Sequence, residues 1–121
     1  MIYCGIDCGS QEHQVLLVDE HRKPLGKSHR IAESRDGHQQ LLELLRSVAG
    51  SQPLCLAFEA TGVYYQNLVH TLAHSELPIT FYRLNPYAAK QYAKSLMHRQ
   101  HTDKTSAKSI AWMIVEHHRS L

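Results

Sequence analysis

Acidic residues stand at the ends of predicted elements in three distant parts of this chain. Asp7 and Glu59 each close a short apolar run of the kind that forms a buried strand, and Asp103 opens a predicted helix. Carboxylates that are far apart in sequence but share element ends are a common way for a fold to gather divalent cations. The pattern therefore predicts a metal site built from hard oxygen ligands.

The chemistry that such a site supports is cleavage or transfer of phosphodiesters. That reaction needs charge neutralised at the phosphate and stabilisation of both the attacking and the leaving oxygen, which two Mg²⁺ ions roughly 3.5–4 Å apart supply. Mg²⁺ (or Mn²⁺) prefers carboxylate oxygens and keeps several waters, so we expect the acids rather than the ten histidines to bind it. Because clustered carboxylates repel one another, metal binding should also stabilise the fold.

Each acid also has a purely structural explanation. Asp7 could cap the turn that follows its strand, and Glu59 could face solvent at a strand end. Asp103 would be favoured in the first turn of a helix by the helix dipole alone. Their joint placement at one end of a sheet, next to a basic helix, is what favours the functional interpretation.

Positive charge is concentrated in residues 83–108, which contain six Lys or Arg and a single acid, although the whole chain carries a net charge of only +2. Lys90, Lys94 and His98 are spaced four residues apart and form one stripe on a helix, where the lysines could contact phosphates. The alternative is a solvated helix face. For Tyr87 and Tyr92 in this segment we favour core positions. The candidate nucleic-acid-binding residues are Lys90, Lys94, Arg99, Lys104 and Lys108.

The elements that must position these residues follow from hydrophobic periodicity and from Gly and Pro. We predict strands at 2–7, 13–18, 27–32, 54–59 and 79–82, and helices at 34–49, 63–73 and 86–97, with a last helix capped by Thr102. The order β-β-β-α-β-α-β-α-α predicts an α/β fold with a mixed five-stranded sheet and helices on both faces. The ribonuclease H-like architecture has this order, and in it the first and fourth strands are neighbours. Asp7 and Glu59 would then be adjacent, and the last helix would bring Asp103 to them.

Length and composition are consistent with one globular domain. The chain has 121 residues, of which 43% are hydrophobic and 20% charged. No apolar run approaches the roughly 20 residues that cross a bilayer, and no signal peptide is recognisable. Three cysteines without a pairing pattern are typical of a reducing cytosol. We therefore expect a cytoplasmic protein with no membrane partner.

Four motifs carry a family resemblance over nearly the whole chain. They are I-Y-C-G-I-D at 2–7, E-A-T-G at 59–62, N-P-Y-A-A-K at 85–90 and H-T-D-K-T-S-A-K at 101–108. The chain resembles the N-terminal RuvC-like domain of DEDD insertion-sequence transposases, relatives of the Piv DNA invertases that include bridge-RNA-guided recombinases. The resemblance implies a Mg²⁺ site of four acids, of which Asp7, Glu59 and Asp103 match the first three. The fourth acid falls on Ser106, a neutral and weaker ligand, so we expect weaker binding of a second ion.

The family pattern also differs from this chain in length. Members continue into a C-terminal domain with a serine thought to attack DNA, so we expect residues 1–121 to be a RuvC-like catalytic domain and a fragment that lacks it. The last helix would expose Trp112, Met113 and His117, and the first two would rest on a missing segment or a second subunit. The resemblance further implies DNA substrates, a guide RNA, homo-oligomeric assembly and a bacterial or archaeal source.

Three functional hypotheses result. The first is the metal-dependent catalytic domain of a DNA transposase or site-specific recombinase, inactive in isolation. The second is a nucleic-acid-binding or assembly module of the same fold with a weakened site. The third, a fragment of an actin-like ATPase, is suggested by G-I-D-C-G-S at 5–10. It is disfavoured because no second phosphate-binding loop follows.

Overall fold

The computed structural model describes residues 1–59, 63–100 and 106–119, without the side chains of 96–100 and 119. Its strands are β1 (Ile2–Asp7), β2 (Glu12–Val18), β3 (His29–Ala32), β4 (Leu54–Glu59) and β5 (Ile79–Leu84). Its helices are α1 (Arg35–Ala49), α2 (Gln66–Ala73), α3 (Pro86–Gln100) and α4 (Ala107–Arg119). Within these described parts, no helix is long and apolar enough to cross a membrane.

The five strands form one mixed sheet in the order β3-β2-β1-β4-β5. The pairs β1–β2 and β2–β3 are antiparallel, whereas β1–β4 and β4–β5 are parallel, and α2 connects β4 to β5. The predicted α/β fold, with the first and fourth strands side by side, is confirmed. Strands β1, β3 and β4 all run in the same direction, so their carboxyl ends share one edge of the sheet, here called the carboxyl edge.

Two hydrophobic clusters cover the two faces of the sheet, and the strands divide their side chains between them by alternation. On one face, Ile6, Leu17 and Leu56 pack with buried leucines of α1 and α2. On the other, Tyr3 and Ala57 pack against the apolar stripe of α4. The prediction of helices on both faces is thereby confirmed, and the two faces can be named the α1/α2 face and the α4 face.

Local sequence signals explain the bounds of α1. Ser34 is its N-cap, and the Ser34 hydroxyl accepts a hydrogen bond from the Gly37 amide at 3.0 Å. Gly50 ends the helix with a positive φ of 60°, a conformation that glycine adopts without strain. Gly37 has a separate constraint, because a Cβ there would collide with the carbonyl oxygen of Ala32. The start of α1 is therefore held tightly against the end of β3.

Helix α2 is shorter than the sequence pattern predicted. It begins at Gln66, not at 63, and Val63 and Tyr64 are 63% and 48% exposed instead of contributing to an apolar face. Tyr65 turns inward and stacks on Phe58 with ring centroids 5.0 Å apart. The pattern was misleading because one aromatic of the Tyr-Tyr pair anchors the turn while the other stays outside.

The prediction that Thr102 caps the last helix is wrong, because α4 begins at Ala107. Ser106 takes the capping role: its hydroxyl accepts from the Ser109 amide at 3.2 Å, and the Ser109 hydroxyl accepts from the Ser106 amide at 3.0 Å. Reciprocal bonds of this kind satisfy two amides that would otherwise lack partners at a helix start. Thr102 itself lies outside the described residues.

Trp112 is not the exposed residue that the sequence suggested. It is half-buried, with the Arg22 guanidinium 4.9 Å and the Lys108 ammonium 4.5 Å from its ring centroid. Arg22 also forms an ion pair with Glu116 at 2.7 Å, so the turn after β2 is tied to α4. Met113 is half-buried as well, and of the three residues expected to be exposed only His117 is.

Candidate metal centre at the carboxyl edge

Asp7 and Glu59 are neighbours at the carboxyl edge. Ile6 pairs with Phe58 in the parallel register of β1 and β4, so the next residue on each strand is one of the two acids. Asp7 points to the same face of the sheet as Tyr3, and Glu59 to the same face as Ala57, because alternate residues of a strand share a face. Tyr3 and Ala57 both belong to the cluster that packs against α4. The two carboxylates therefore occupy the same edge, as the sequence predicted, and also the same face of the sheet.

Electrostatics show that the two acids interact. Burial raises the pKa of Glu59 above its ordinary value of 4.5, and the nearby charge of Asp7 raises it further, while Lys90 lowers it. Burial raises the pKa of the Cys8 thiol to about 12, and the charges of Asp7, Glu33 and Glu59 contribute in that order. Cys8 is thus held as a neutral thiol beside an excess of negative charge, which is the environment that attracts a cation.

Helix α3 brings positive charge to this edge. It follows β5 directly, and the Asn85 side-chain oxygen caps it by accepting from the Tyr87 amide at 2.8 Å. Lys90 and Lys94 are exposed one turn apart, and the charge of Lys90 reaches Glu59. The basic stripe that the sequence predicted therefore begins beside the acidic pair.

The other candidate binding residues are placed differently. Lys108 lies over the Trp112 ring, which gives it a packing role on α4. Lys104 and the side chain of Arg99 lie outside the described residues. The core position favoured for Tyr87 is wrong, since it is 72% exposed, whereas Tyr92 is half-buried. Tyr87 occupies the first turn of α3 on its solvent side, a location that spacing alone did not distinguish from the inner side.

The start of α4 packs next to the acidic pair. Gly5, two residues before Asp7, lies so close to α4 that a Cβ would collide with the Ala107 carbonyl oxygen and the Ala111 backbone. Ser106 precedes that contact by one residue and is exposed, with its hydroxyl engaged in the helix cap. The third predicted ligand, Asp103, lies outside the described residues, so its predicted role stays a prediction.

A second polar cluster lies at the same edge on the α1/α2 face, and sequence reasoning missed it. The Nε2 atoms of His13 and His38 lie 2.9 and 2.6 Å from the same Glu33 carboxylate oxygen. Both histidines are buried, His13 completely. Burial raises the pKa of Glu33, but the hydrogen bonds from the two histidines outweigh it and hold the pKa below 4.5.

Periodicity could have indicated this cluster. His13 is in register with the buried Val15 and Leu17, so it points to the inner face of its strand. His38 lies three and four residues before the buried Leu41 and Leu42, so it lies on the inner face of its helix. What periodicity could not supply is their meeting point. Glu33 follows the short β3 strand, and only the strand order brings that residue to both histidines.

The mixed sheet, its strand order and an acidic pair at the carboxyl ends of β1 and β4 define a domain of the ribonuclease H-like class. The family model that matches residues 4–121 is that of the DEDD transposases of the IS110 type, described as transposase. The chain belongs to this transposase family. No curated protein matches the sequence significantly.

Solved structures of similar fold include two of RuvC from Thermus thermophilus. The one in complex with a Holliday junction substrate has a TM-score of 0.64 at 17% identity, with 99% of this chain and 96% of that chain covered. The other has a TM-score of 0.62 at 16% identity, with the same coverage. The Holliday junction resolvase of fowlpox virus has a TM-score of 0.56 at 8% identity over 100% of both chains. These similarities establish the RuvC-like fold.

Proposed function

We propose that this chain is the metal-dependent catalytic domain of a DNA transposase or site-specific recombinase that acts on DNA phosphodiesters. Asp7 and Glu59 would hold Mg²⁺ or Mn²⁺, with Asp103 as a third ligand. The observation that supports this most is the pairing of two acids on one face, where burial and then the charge of Asp7 raise the pKa of Glu59. Such a perturbed pair at a strand edge is typical of a functional site.

The donor set fits a hard cation. Both neighbouring side chains offer carboxylate oxygens, which Mg²⁺ and Mn²⁺ prefer over imidazole or thiolate. A bound cation would neutralise charge on a phosphate and lower the pKa of a bound water. Lys90 adds a positive charge at the same edge, where it would help to orient a phosphate of the substrate.

DNA is the partner that this site and its surroundings favour. The exposed Lys90 and Lys94 present a backbone-binding stripe that begins at the acidic pair. Membership of a transposase family points to the same substrate class and to a cytoplasmic location. A similar fold is seen in a RuvC bound to a Holliday junction, which supports a branched or duplex DNA as the substrate.

The resemblance to longer transposases extends the proposal. Residues 1–121 would form a catalytic domain that is inactive without a C-terminal, serine-containing domain. The full-length protein would assemble as a homo-oligomer on DNA, with a guide RNA as a further partner.

A second candidate is a nucleic-acid-binding or assembly module whose site has weakened. The observation that favours it is Ser106, which occupies the fourth acidic position and uses its hydroxyl to cap α4. With one carboxylate fewer, a second cation would bind less tightly. Metal titration separates the two candidates.

Thermal unfolding with increasing Mn²⁺ tests the metal centre. A ligand at 100 times its Kd stabilises a protein by about 2.7 kcal/mol, which would raise the Tm by several degrees. We expect this rise in the native chain, its loss in Asp7→Asn, and its retention in Glu12→Gln, a matched control at an exposed acid of the same edge. An unchanged Tm in the native chain, or an equal rise in Asp7→Asn, would refute the metal centre.

Salt-dependent DNA binding tests the basic stripe. The double variant Lys90→Glu and Lys94→Glu should bind duplex DNA more weakly, with a salt slope shallower by about 2, because the slope falls by roughly 0.9 per lost phosphate contact. The matched control is Lys23→Glu with Lys27→Glu, two exposed lysines near the turn after β2. Equal effects of the two double variants would mean that only net charge matters and that α3 is not the binding surface.

A further inference from the structure

The histidine cluster reaches the chain segment that directly follows Asp7. The Gly9 amide donates a hydrogen bond to Nδ1 of His13 at 3.2 Å. A ring nitrogen that accepts has no proton, so the neutral His13 ring carries its proton on Nε2. That nitrogen donates to Glu33 at 2.9 Å. A continuous hydrogen-bonded path therefore runs from the turn after Asp7 through a buried imidazole to Glu33.

Glu33 connects this path to both helices of the α1/α2 face. The oxygen that binds His13 also accepts from His38 in the first turn of α1 at 2.6 Å. The other oxygen accepts from the side-chain amide of Asn67 in α2 at 3.4 Å. Thr71 of α2 contacts Nδ1 of His38 at 3.3 Å. Since α2 is the first helix after Glu59, Glu33 links the segments that follow the two candidate metal ligands.

The same three side chains could be read as a metal site, since one ligand atom from each lies within 4.8 Å of the others. The Gly9 contact argues against that reading. A histidine that binds metal through Nε2 normally carries its proton on Nδ1 and donates from it. Here Nδ1 of His13 faces the Gly9 amide, which is a donor. Metal on Nε2 would place a proton on Nδ1, and the Nδ1–H group would then face the Gly9 N–H group with no acceptor between them. The geometry therefore favours hydrogen bonding over a bound cation.

We propose that His13 and Glu33 are positioning residues for the candidate metal centre, and we call the connected set Gly9, His13, Glu33, His38 and Asn67 the Glu33 brace. The inference rests on the proposed function, because it needs a cation at Asp7 and Glu59. The Glu33 brace lies on the α1/α2 face, whereas the carboxylates of Asp7 and Glu59 lie on the α4 face. It fixes the turn after Asp7, so that the Asp7 carboxylate keeps its place beside Glu59.

Mn²⁺ affinity measured by titration calorimetry tests this role. Residues that orient metal ligands typically contribute 10–100-fold in affinity, so we expect His13→Ala to weaken Mn²⁺ binding about tenfold. In His13→Asn the side-chain oxygen stands where Nδ1 stood and can accept from Gly9, so part of the affinity should return. Leu42→Ala is the control, since it cuts a buried side chain of the same face in the middle of α1.

The amide NMR signals of Asp7, Cys8 and Gly9 give a readout that needs no metal. We expect them to move in His13→Ala and to stay in place in Leu42→Ala. If they stay in place in His13→Ala, or if that folded variant binds Mn²⁺ like the native chain, the Glu33 brace does not position the site. Absence of Mn²⁺ binding in the native chain would instead refute the proposed function, and with it the positioning role.

Zinc titration separates the Glu33 brace from a histidine metal site. The expected result is no tight Zn²⁺ binding that depends on the two histidines. Tight binding that disappears in both His13→Ala and His38→Ala, yet survives in Asp7→Asn, would assign the cluster to a cation and overturn the proposal. A direct measurement of the His13 ring tautomer by ¹⁵N NMR should show the proton on Nε2; a proton on Nδ1 would also overturn it.

Discussion

Glu33 and Glu59 are two half-buried glutamates at the same edge of the same sheet, and their surroundings are opposite. Glu33 lies on the α1/α2 face, where the ring N–H groups of His13 and His38 bind it and its pKa is lowered. Glu59 lies on the α4 face, where burial and Asp7 raise its pKa. The Glu33 carboxylate accepts hydrogen bonds from two histidines. The Glu59 carboxylate lies near a second negative charge, that of Asp7.

The difference separates a structural acid from a functional one. A buried charge that stabilises a fold needs donors close to it, because an unsatisfied one costs several kcal/mol. An acid placed beside another acid lowers stability unless a cation is present. Glu59 is an example of this second case. The proposed metal site therefore lies where the repulsion between two carboxylates lowers the stability of the fold.

The largest expected effect is on the Glu33 side. Glu33→Ala leaves two buried ring N–H donors without an acceptor, and each such donor costs about 1–3 kcal/mol. We expect a loss of roughly 2–6 kcal/mol in the free energy of unfolding, measured by urea denaturation with EDTA present. Glu59→Ala should cost much less. Equal losses in the two variants would remove the contrast between the two acids.

Much of the fold, and the adjacency of Asp7 and Glu59 in the candidate site, were predictable from the sequence, and the reasons are local. The apolar runs that end at Asp7 and Glu59 are continuous, as expected for strands buried on both faces, and their bounds were predicted correctly. Ser34 and Gly50 are strong helix-boundary signals, and α1 ends where they stand. Once the element order indicated neighbouring first and fourth strands, the pairing of the two acids followed.

The features that the sequence did not predict depend on interactions whose partners could not be identified from local patterns. The start of α4 was predicted at Thr102, but Ser106 and Ser109 together offer a reciprocal cap that a single hydroxyl cannot match. Trp112 was predicted to be exposed, but Lys108 of α4 and Arg22, which is far away in sequence, both lie over its ring. The Glu33 brace likewise joins residues that the sequence separates.

A smaller effect, of opposite sign, is expected on the Glu59 side. Because the pKa of Glu59 is raised in the folded state, this group favours folding at low pH, and that contribution is lost as the pH rises above 4.5 through the raised pKa. At pH 7 without metal it is destabilising. Glu59→Gln should therefore raise the Tm at pH 7 by about 1–3 °C in EDTA, and the gain should shrink towards pH 4.

Glu33→Gln is the matched comparison. The pKa of Glu33 is lowered in the folded state, so its stabilisation is present above 4.5 and is lost as the pH falls through the lowered pKa. The same neutral substitution should therefore lower the Tm at pH 7. If both glutamine variants shift the Tm in the same direction, the two acids do not differ in the way that their surroundings indicate.

The smallest effect on stability, and the sharpest on function, is expected at Ser106. Asp caps helices about as well as Ser, so Ser106→Asp should change the free energy of unfolding by less than about 0.5 kcal/mol. It would also restore a fourth carboxylate at the start of α4, a helix held against β1 beside Asp7 through the Gly5 contact. We expect a roughly tenfold gain in Mn²⁺ affinity, equivalent to about 1.4 kcal/mol.

Ser106→Ala is the control. It should lose the cap, which costs about 1 kcal/mol of stability, and gain no Mn²⁺ affinity. If Ser106→Asp gains none either, the start of α4 does not reach the cation, and the Asp7–Glu59 pair must be completed from elsewhere.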